Sequence, residues 1–103
     1  MIKVTVMWPN SEEAAFNHDY YLENHIPMAV ELFGEQLKKV EVDRGIAGLG
    51  PGSPPPYAAI TQFHFESLEA FQSAFGPHAA RITEDQPNFS ANDPVVQVSE
   101  VVR

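Results

Sequence analysis

Hydrophobic and polar residues alternate in four short segments of the chain, and this period-two pattern predicts four β-strands. The segments cover residues 2–8, 37–46, 57–65 and 95–102. A glycine- and proline-rich run at 47–56 separates the second strand from the third and predicts an irregular loop with a stiff end. A turn-rich stretch at 86–94 precedes the fourth strand.

Two segments instead carry the three- and four-residue spacing of amphipathic helices. The first helix is predicted to begin at Asn17, a favoured N-cap, with Phe16 packing against Tyr21, and to end at Gly34. The second is predicted to begin after Ser67 and to end at Gly76-Pro77. Its apolar stripe consists of Leu68, Phe71 and Phe75. Residues 78–85 are predicted to add a further helical segment.

The resulting order, strand, helix, strand, strand, helix, strand, predicts an α+β ferredoxin-like βαββαβ fold with a four-stranded antiparallel sheet. The length of 103 residues indicates one domain, residues 1–103. Helices should cover one sheet face, leaving the other either in water or buried against a second copy. That second face is semi-polar and carries Lys3, Thr5, Glu41, Gln62, His64, Gln97 and Ser99.

Composition narrows the classes of function. A formal net charge of −8 disfavours nucleic acid and anionic membrane surfaces as partners. The absence of cysteine excludes disulfides, thiolate nucleophiles and Cys-ligated metals, and it fits a reducing compartment. The first residues lack the long apolar run of a signal peptide or membrane span, so we predict a cytoplasmic protein. No glycine-rich phosphate loop precedes a helix, which disfavours nucleotide cofactors.

Residues 19–27 hold the most informative candidates. Pro27 removes a backbone donor and collides with the Glu23 carbonyl, so the helix should bend or break beside His25. Helical spacing predicts one sheet-facing stripe of Tyr21, Leu22, His25, Ala29 and Leu32. A half-buried histidine there is suited to act as a general acid or base, and Tyr21 one turn earlier to orient a carbonyl or phenolate.

A structural interpretation of the same residues stays open. In it, His25 bonds a backbone carbonyl freed by Pro27 and Tyr21 packs on its ring. Trp8 and Tyr57 are predicted to wall the core or to stack on a ligand. His78, just after Gly76-Pro77, is predicted to start a helical segment. Tyr20 is predicted at an edge or subunit contact. The histidine spacing does not support a metal site.

The chain resembles the ethyl tert-butyl ether degradation (EthD) family over nearly its full length. The resemblance rests on three groups of residues in order: Asp19-Tyr20-Tyr21 with His25 and Pro27, then Gly52-Ser53-Pro54-Pro55-Pro56-Tyr57, then Phe71 with Phe75-Gly76-Pro77-His78. It implies a homodimeric α+β barrel in which two sheets pack face to face, with a small-molecule pocket between each sheet and its helices. The place of His78 in the third group makes it a secondary candidate for that pocket.

The resemblance also implies a role in the oxidative catabolism of small apolar organic compounds. The implied activity is that of a cofactor-independent oxidoreductase or monooxygenase, or of a cyclase or isomerase, with His25 as the acid or base and Tyr21 beside it. No cofactor is expected. The alternative is a non-catalytic accessory or ligand-carrier protein for an oxygenase system.

Overall fold

The computed structural model describes all residues from 1 to 103, and its four strands form one antiparallel sheet. The strands are β1 (Ile2–Pro9), β2 (Lys39–Arg44), β3 (Tyr57–Phe65) and β4 (Val95–Glu100). Their spatial order is β2-β3-β1-β4, so β1 and β3 are central and β2 and β4 are edges. The predicted α+β ferredoxin-like fold is confirmed.

The first helical stretch consists of α1 (His18–Tyr20), a π-helical turn (Tyr21–His25) and α2 (Ile26–Phe33), followed by a 3₁₀ turn (Gly34–Gln36). The second consists of α3 (Leu68–Phe75), a 3₁₀ turn (Gly76–His78) and α4 (Ala79–Glu84). A last 3₁₀ turn (Gln86–Asn88) leads towards β4. No helix is long and apolar enough to cross a membrane.

The predicted helix caps are present. The Asn17 side chain accepts a hydrogen bond from the Tyr20 amide at 3.1 Å, and Ser67 caps α3 in the same way through the Ala70 amide. Gly34 ends α2 with a φ of 62°, a left-handed conformation that a glycine adopts without strain. These local signals fix where each helical stretch begins and ends.

Strand register separates the two faces of the sheet. Val4 lies opposite Phe63 and Val98 on the face that packs against the helices. Its neighbour Lys3 lies opposite His64 and Ser99 on the open face. All the residues predicted for the semi-polar face lie on this open side, joined at one end by apolar Met7, Ile60 and Val95.

The core lies between the other face and the helices, where eleven buried residues form one cluster. The largest fully buried side chains of the chain are Tyr21, Phe65 and Thr61, each less than 2% exposed. The edge strand β4 is left outside this core, because Val96 and Val98 face the helix side yet remain 54% and 41% exposed. The helices therefore cover the centre of the sheet and leave one edge open.

Candidate functional site

A cavity of about 320 Å³ lies between the sheet and the helices. Its walls are mainly aliphatic and aromatic, and none of its lining residues is Lys, Arg, Asp or Glu. The lining residues are Val4, Val6, Trp8, Phe63 and Val96 from the sheet, Tyr21, His25, Ala29, Phe71, Phe75, Ile82 and Thr83 from the helical stretches, and Gln86 and Pro94. Thr83 and Val96 are exposed, so the cavity opens between α4 and the edge strand β4.

The π-helical turn places Tyr21 and His25 on the cavity wall. The Ile26 amide bonds the Tyr21 carbonyl, five residues back instead of four. We attribute this wide turn to Pro27, whose ring collides with the Glu23 carbonyl in regular α-helical geometry. The helix continues through the turn instead of breaking, and both side chains face inward at 1% and 6% exposure.

His25 is held by a carboxylate on the following helical stretch. Its Nδ1 lies 2.9 Å from Oδ2 of Asp85, just after α4. The other oxygen, Oδ1, accepts from the Tyr20 hydroxyl at 2.6 Å and from the Asn88 side-chain amide at 3.0 Å. Asn88 also donates to the Tyr20 hydroxyl at 3.2 Å. Asp85 therefore joins the first helical stretch to the second at the wall of the cavity.

The electrostatics of this pair favour a neutral histidine beside an ionised aspartate. Burial lowers the pKa of His25, and the hydrogen bond and charge of Asp85 oppose this shift without overcoming it. Burial alone would raise the pKa of Asp85, but hydrogen bonds from Tyr20, His25 and Asn88 outweigh it and leave that pKa below its ordinary value.

The tautomer of His25 follows from these charges. Ionised Asp85 has only acceptor sites, so Nδ1 of the neutral ring carries the proton and donates it to the carboxylate. Nε2 is then the acceptor. It has no hydrogen-bond partner in the chain, and it is not among the fully enclosed polar atoms. Because His25 lines the cavity, this lone pair is available to a molecule inside it.

The hydroxyl of Tyr21 is already engaged. It accepts from Nε1 of Trp8 at 3.1 Å and shares a 2.5 Å hydrogen bond with Oγ1 of Thr61. These contacts use two of the three hydrogen-bonding sites of a phenol. Burial raises the pKa of Tyr21, and the bonds to Thr61 and Trp8 offset only part of the shift. Tyr21 is a neutral side chain anchored to the sheet.

Two aromatic rings fix the plane of the imidazole. The Tyr21 ring is nearly parallel to that of His25, with centroids 5.4 Å apart and an interplanar angle of 17°. Phe89 packs on His25 with a centroid distance of 4.4 Å and also contacts Trp8 and Tyr21. Its carbonyl accepts from the Asn17 amide at 2.9 Å, which ties the start of the first helical stretch to this segment.

The predicted site residues therefore separate into two groups. Trp8, Tyr21 and His25 meet at one cavity. Tyr57 and His78 lie outside its wall, because Tyr57 sits opposite Pro9 at the start of β3 and His78 lies in the turn before α4. Their role in substrate binding gains no support from this geometry.

The sheet-facing stripe predicted from the helical period needs correction. Leu22 is 49% exposed and faces away from the sheet, while Phe33, outside the predicted stripe, is buried. Through the wide turn, buried residues recur every four positions at Tyr21, His25, Ala29 and Phe33, and Ile26 is buried as well. Tyr20, predicted at an edge or subunit contact, is half-buried, and its hydroxyl bonds Asp85 within the chain.

The structural interpretation of His25 is correct in one respect and wrong in another. Tyr21 does pack on its ring. No hydrogen bond joins the imidazole to a backbone carbonyl, however, because Asp85 takes Nδ1. No group of three or more His, Asp or Glu side chains is arranged to hold a metal ion.

Sequence reasoning missed the partners of His25. Asp85 lies at the end of the segment predicted to be helical, and Asn88 and Phe89 lie in the stretch predicted to be turn-rich. The available signal was a phenylalanine among turn residues, since a large apolar side chain in a polar loop indicates packing against the core. The pairing of Asp85 with His25 across 60 residues leaves no local signature.

Comparisons with known proteins identify the family and the fold. The family model for the EthD domain matches residues 9–93. An EthD-like protein from Ralstonia eutropha JMP134 is 40% identical, with 99% of this chain and 92% of that chain covered and a TM-score of 0.94. Among curated proteins, none matches at a significant level.

Two more distant structures share the fold. An ethyl tert-butyl ether degradation family protein from Bacillus halodurans C-125 is 17% identical, covers 99% of both chains and has a TM-score of 0.76. A dimeric protein of unknown function with a ferredoxin-like fold, from Bacteroides fragilis NCTC 9343, is 13% identical and has a TM-score of 0.55. The match covers 97% of this chain and 94% of that chain.

Proposed function

Because this chain belongs to the EthD family, we propose that it binds a small, largely apolar organic molecule in the cavity and exchanges a proton with it through His25. The observation that carries this proposal is the unpaired Nε2 of His25 on the wall of an otherwise apolar cavity, with Nδ1 fixed by Asp85. The whole chain, residues 1–103, acts as one EthD-like domain in this proposal.

The chemistry follows from the two nitrogens of the ring. Nε2 accepts a proton from the bound molecule, and the imidazolium that forms is stabilised by the adjacent Asp85 carboxylate. The reverse transfer returns the proton to the same or a neighbouring atom. Such a base serves a cofactor-independent oxidoreductase or monooxygenase that activates its substrate as an anion, and equally a cyclase or isomerase that moves a proton.

Three neighbours assist without reacting. Tyr21 and Phe89 hold the imidazole in its plane, and Tyr20 holds the Asp85 carboxylate. We assign Tyr21 a positioning role because its hydroxyl is bound to Trp8 and Thr61. Trp8 and the surrounding aliphatic side chains bind the apolar part of the ligand by removing it from water.

We further propose that two copies pack their open sheet faces together as a homodimer. The open face combines apolar Met7 and Ile60 with His64, whose Nε2 is fully enclosed and lacks a hydrogen bond. The Bacteroides fragilis neighbour is described as dimeric. A mass measurement by light scattering at micromolar concentration should give twice the 11.4 kDa of one chain, and a monomer would refute this assembly.

A carrier or accessory function for an oxygenase system is the second candidate. It is favoured by the engagement of the Tyr21 hydroxyl, which leaves His25 with little catalytic assistance. In that case the cavity retains a ligand that emerges unchanged, and an oxygenase component co-purifies with the chain in its cytoplasmic setting.

The deciding experiment compares His25→Gln with His64→Gln. His25→Gln keeps a polar side chain at this position but removes the base. Substrate turnover should therefore fall by about 10²- to 10⁴-fold, while apolar ligands still bind. The His64→Gln control removes an imidazole outside the cavity and should leave turnover unchanged. Equal turnover in the two variants would refute the role of His25, and tight binding without turnover in the unaltered protein would select the carrier function.

A further inference from the structure

The cavity contains no formal positive charge. No lysine or arginine lines it, and the nearest charge behind its polar wall is the Asp85 carboxylate. A carboxylate, sulfonate or phosphate entering this space would lose its hydration without gaining a counter-ion, which disfavours its binding. The cavity therefore selects against ligands that are already anionic.

The imidazole of His25 presents a hydrogen-bond acceptor to the cavity. Nδ1 of His25 donates to Asp85, so Nε2 presents a lone pair and no proton. A ketone, ester or ether oxygen placed against Nε2 meets another acceptor and forms no hydrogen bond. Only a ligand with its own O–H or N–H satisfies this nitrogen.

The walls favour a flat ring system. Trp8, Phe63, Phe71 and Phe75 line the cavity beside the imidazole. Aromatic side chains prefer tilted or offset contacts with other rings, and each such pair adds to the burial of apolar area. A volume of about 320 Å³ is at the low end for small-molecule sites, which limits the ligand to about one or two fused rings.

We propose that the ligand of this cavity is a neutral hydroxyarene of one or two rings, a phenol or naphthol, whose hydroxyl donates to Nε2 of His25. This inference rests on the proposed function, since it names the molecule with which His25 exchanges its proton. On transfer, the O–H bond breaks, an N–H bond forms at Nε2, and the electron pair stays on oxygen. The product is an aryloxide next to an imidazolium, which lies in turn next to Asp85.

Three probes with the same ring system test the assignment. They are 2-naphthol, which has a donor, 2-methoxynaphthalene, which keeps the oxygen without the donor, and 2-naphthoate, which is anionic. Binding is followed by calorimetry and by the fluorescence of Trp8, the single tryptophan of the chain, which lines the cavity. The pH is set between the pKa of His25 and that of naphthol, where both groups are neutral.

The expected order is naphthol, then methoxynaphthalene, then naphthoate. One net hydrogen bond makes naphthol about 2- to 10-fold tighter than methoxynaphthalene. Naphthoate should bind more weakly than either. His25→Leu should abolish the preference for naphthol, and His64→Gln should keep it. If His25→Leu fails to fold, the affinities of the unaltered protein for the three probes still test the assignment.

The outcomes separate this inference from the proposed function. Equal affinity for naphthol and methoxynaphthalene, or naphthoate as the tightest probe, overturns the hydroxyarene assignment while an apolar binding cavity is retained. If none of the three naphthalene derivatives binds, both the hydroxyarene assignment and the proposed function are overturned.

Discussion

Two histidines lie on opposite sides of one sheet, and their surroundings differ in ways that suit different tasks. The side chains of His25 and His64 are 7% and 16% exposed, and each lies beside a carboxylate. His25 makes a 2.9 Å hydrogen bond to Asp85 and leaves Nε2 open to a cavity. Nε2 of His64 lies 3.4 Å from Glu41, outside hydrogen-bond geometry, and is enclosed on the open face.

The difference shows that burial alone does not indicate a reactive histidine. His25 has one nitrogen fixed and one free towards an enclosed volume, which is the arrangement that general acid–base catalysis needs. His64 has a nitrogen that the chain itself encloses without a hydrogen bond, and it does not line the cavity.

Replacing Asp85 should have the largest effect on stability. Asp85→Asn leaves His25, Tyr20 and Asn88 without a charged acceptor, and hydrogen bonds to charged groups contribute about 1.5–3 kcal/mol each. We expect the free energy of unfolding, measured in urea, to fall by about 1.5–3 kcal/mol in total. Asp43→Asn, on the exposed open side of β2, should change it by less than about 0.5 kcal/mol. Equal losses would show that the Asp85 network adds nothing to the fold.

Removing the Tyr21 hydroxyl should cost less. Tyr21→Phe deprives Trp8 and the fully buried Thr61 of their partner, so unfolding should become easier by about 1–3 kcal/mol. The ring stays, so the stacking on His25 is kept. Tyr57→Phe, whose hydroxyl makes no hydrogen bond within the chain, is the matched control and should be nearly neutral. A loss of turnover in Tyr21→Phe without a loss of stability would contradict its positioning role.

Acid should weaken the fold through His25. Its pKa is lowered by burial, so below its ordinary pKa of about 6.5 the unfolded chain binds a proton that the folded chain does not. Stability should therefore decrease as pH falls from about 6.5 to the lower pKa of folded His25, by at most about 1.4 kcal/mol per pH unit. In thermal melts, the melting temperature of His25→Gln should depend less on pH in this range than that of the unaltered protein. The melting temperature of His64→Gln should keep the original pH dependence.

Changing His64 should have the smallest effect on the isolated chain. His64→Gln should alter the free energy of unfolding of the monomer by no more than about 0.5 kcal/mol. In a homodimer built on the open face, the same change should weaken association by about 2- to 10-fold, because it alters a polar contact between the copies. Sedimentation across a concentration series measures this, and an unchanged dimer constant would exclude His64 from the interface.

Local patterns were sufficient to predict the strands, the caps and the inward face of His25. Asn17, Ser67 and Gly34 act on backbone groups within three or four residues, so their effect is visible in the sequence. The second and fourth strands are shorter than their alternation indicated, Lys39–Arg44 and Val95–Glu100, since pairing with a neighbour sets where a ladder ends.

The partners of the site could not be predicted in the same way. Which carboxylate reaches His25 depends on how the two helical stretches pack, and Asp85 was one of fourteen acidic residues. Leu22 was misplaced because a regular α-helical period was assumed through a turn that Pro27 widens. The engagement of the Tyr21 hydroxyl likewise depends on Thr61, forty residues away in β3.

The open edge of the sheet also bears on how this protein behaves in concentrated solution. Strand β4 exposes Val95, Val96 and Val98 beside unpaired backbone groups, the kind of edge on which a foreign strand can nucleate an intermolecular sheet. Pro94 and Glu100 flank these valines, and the repulsion from the net charge of −8 opposes association beyond the proposed homodimer. Near the isoelectric point of about 4.7 that repulsion vanishes, so precipitation should start from this strand.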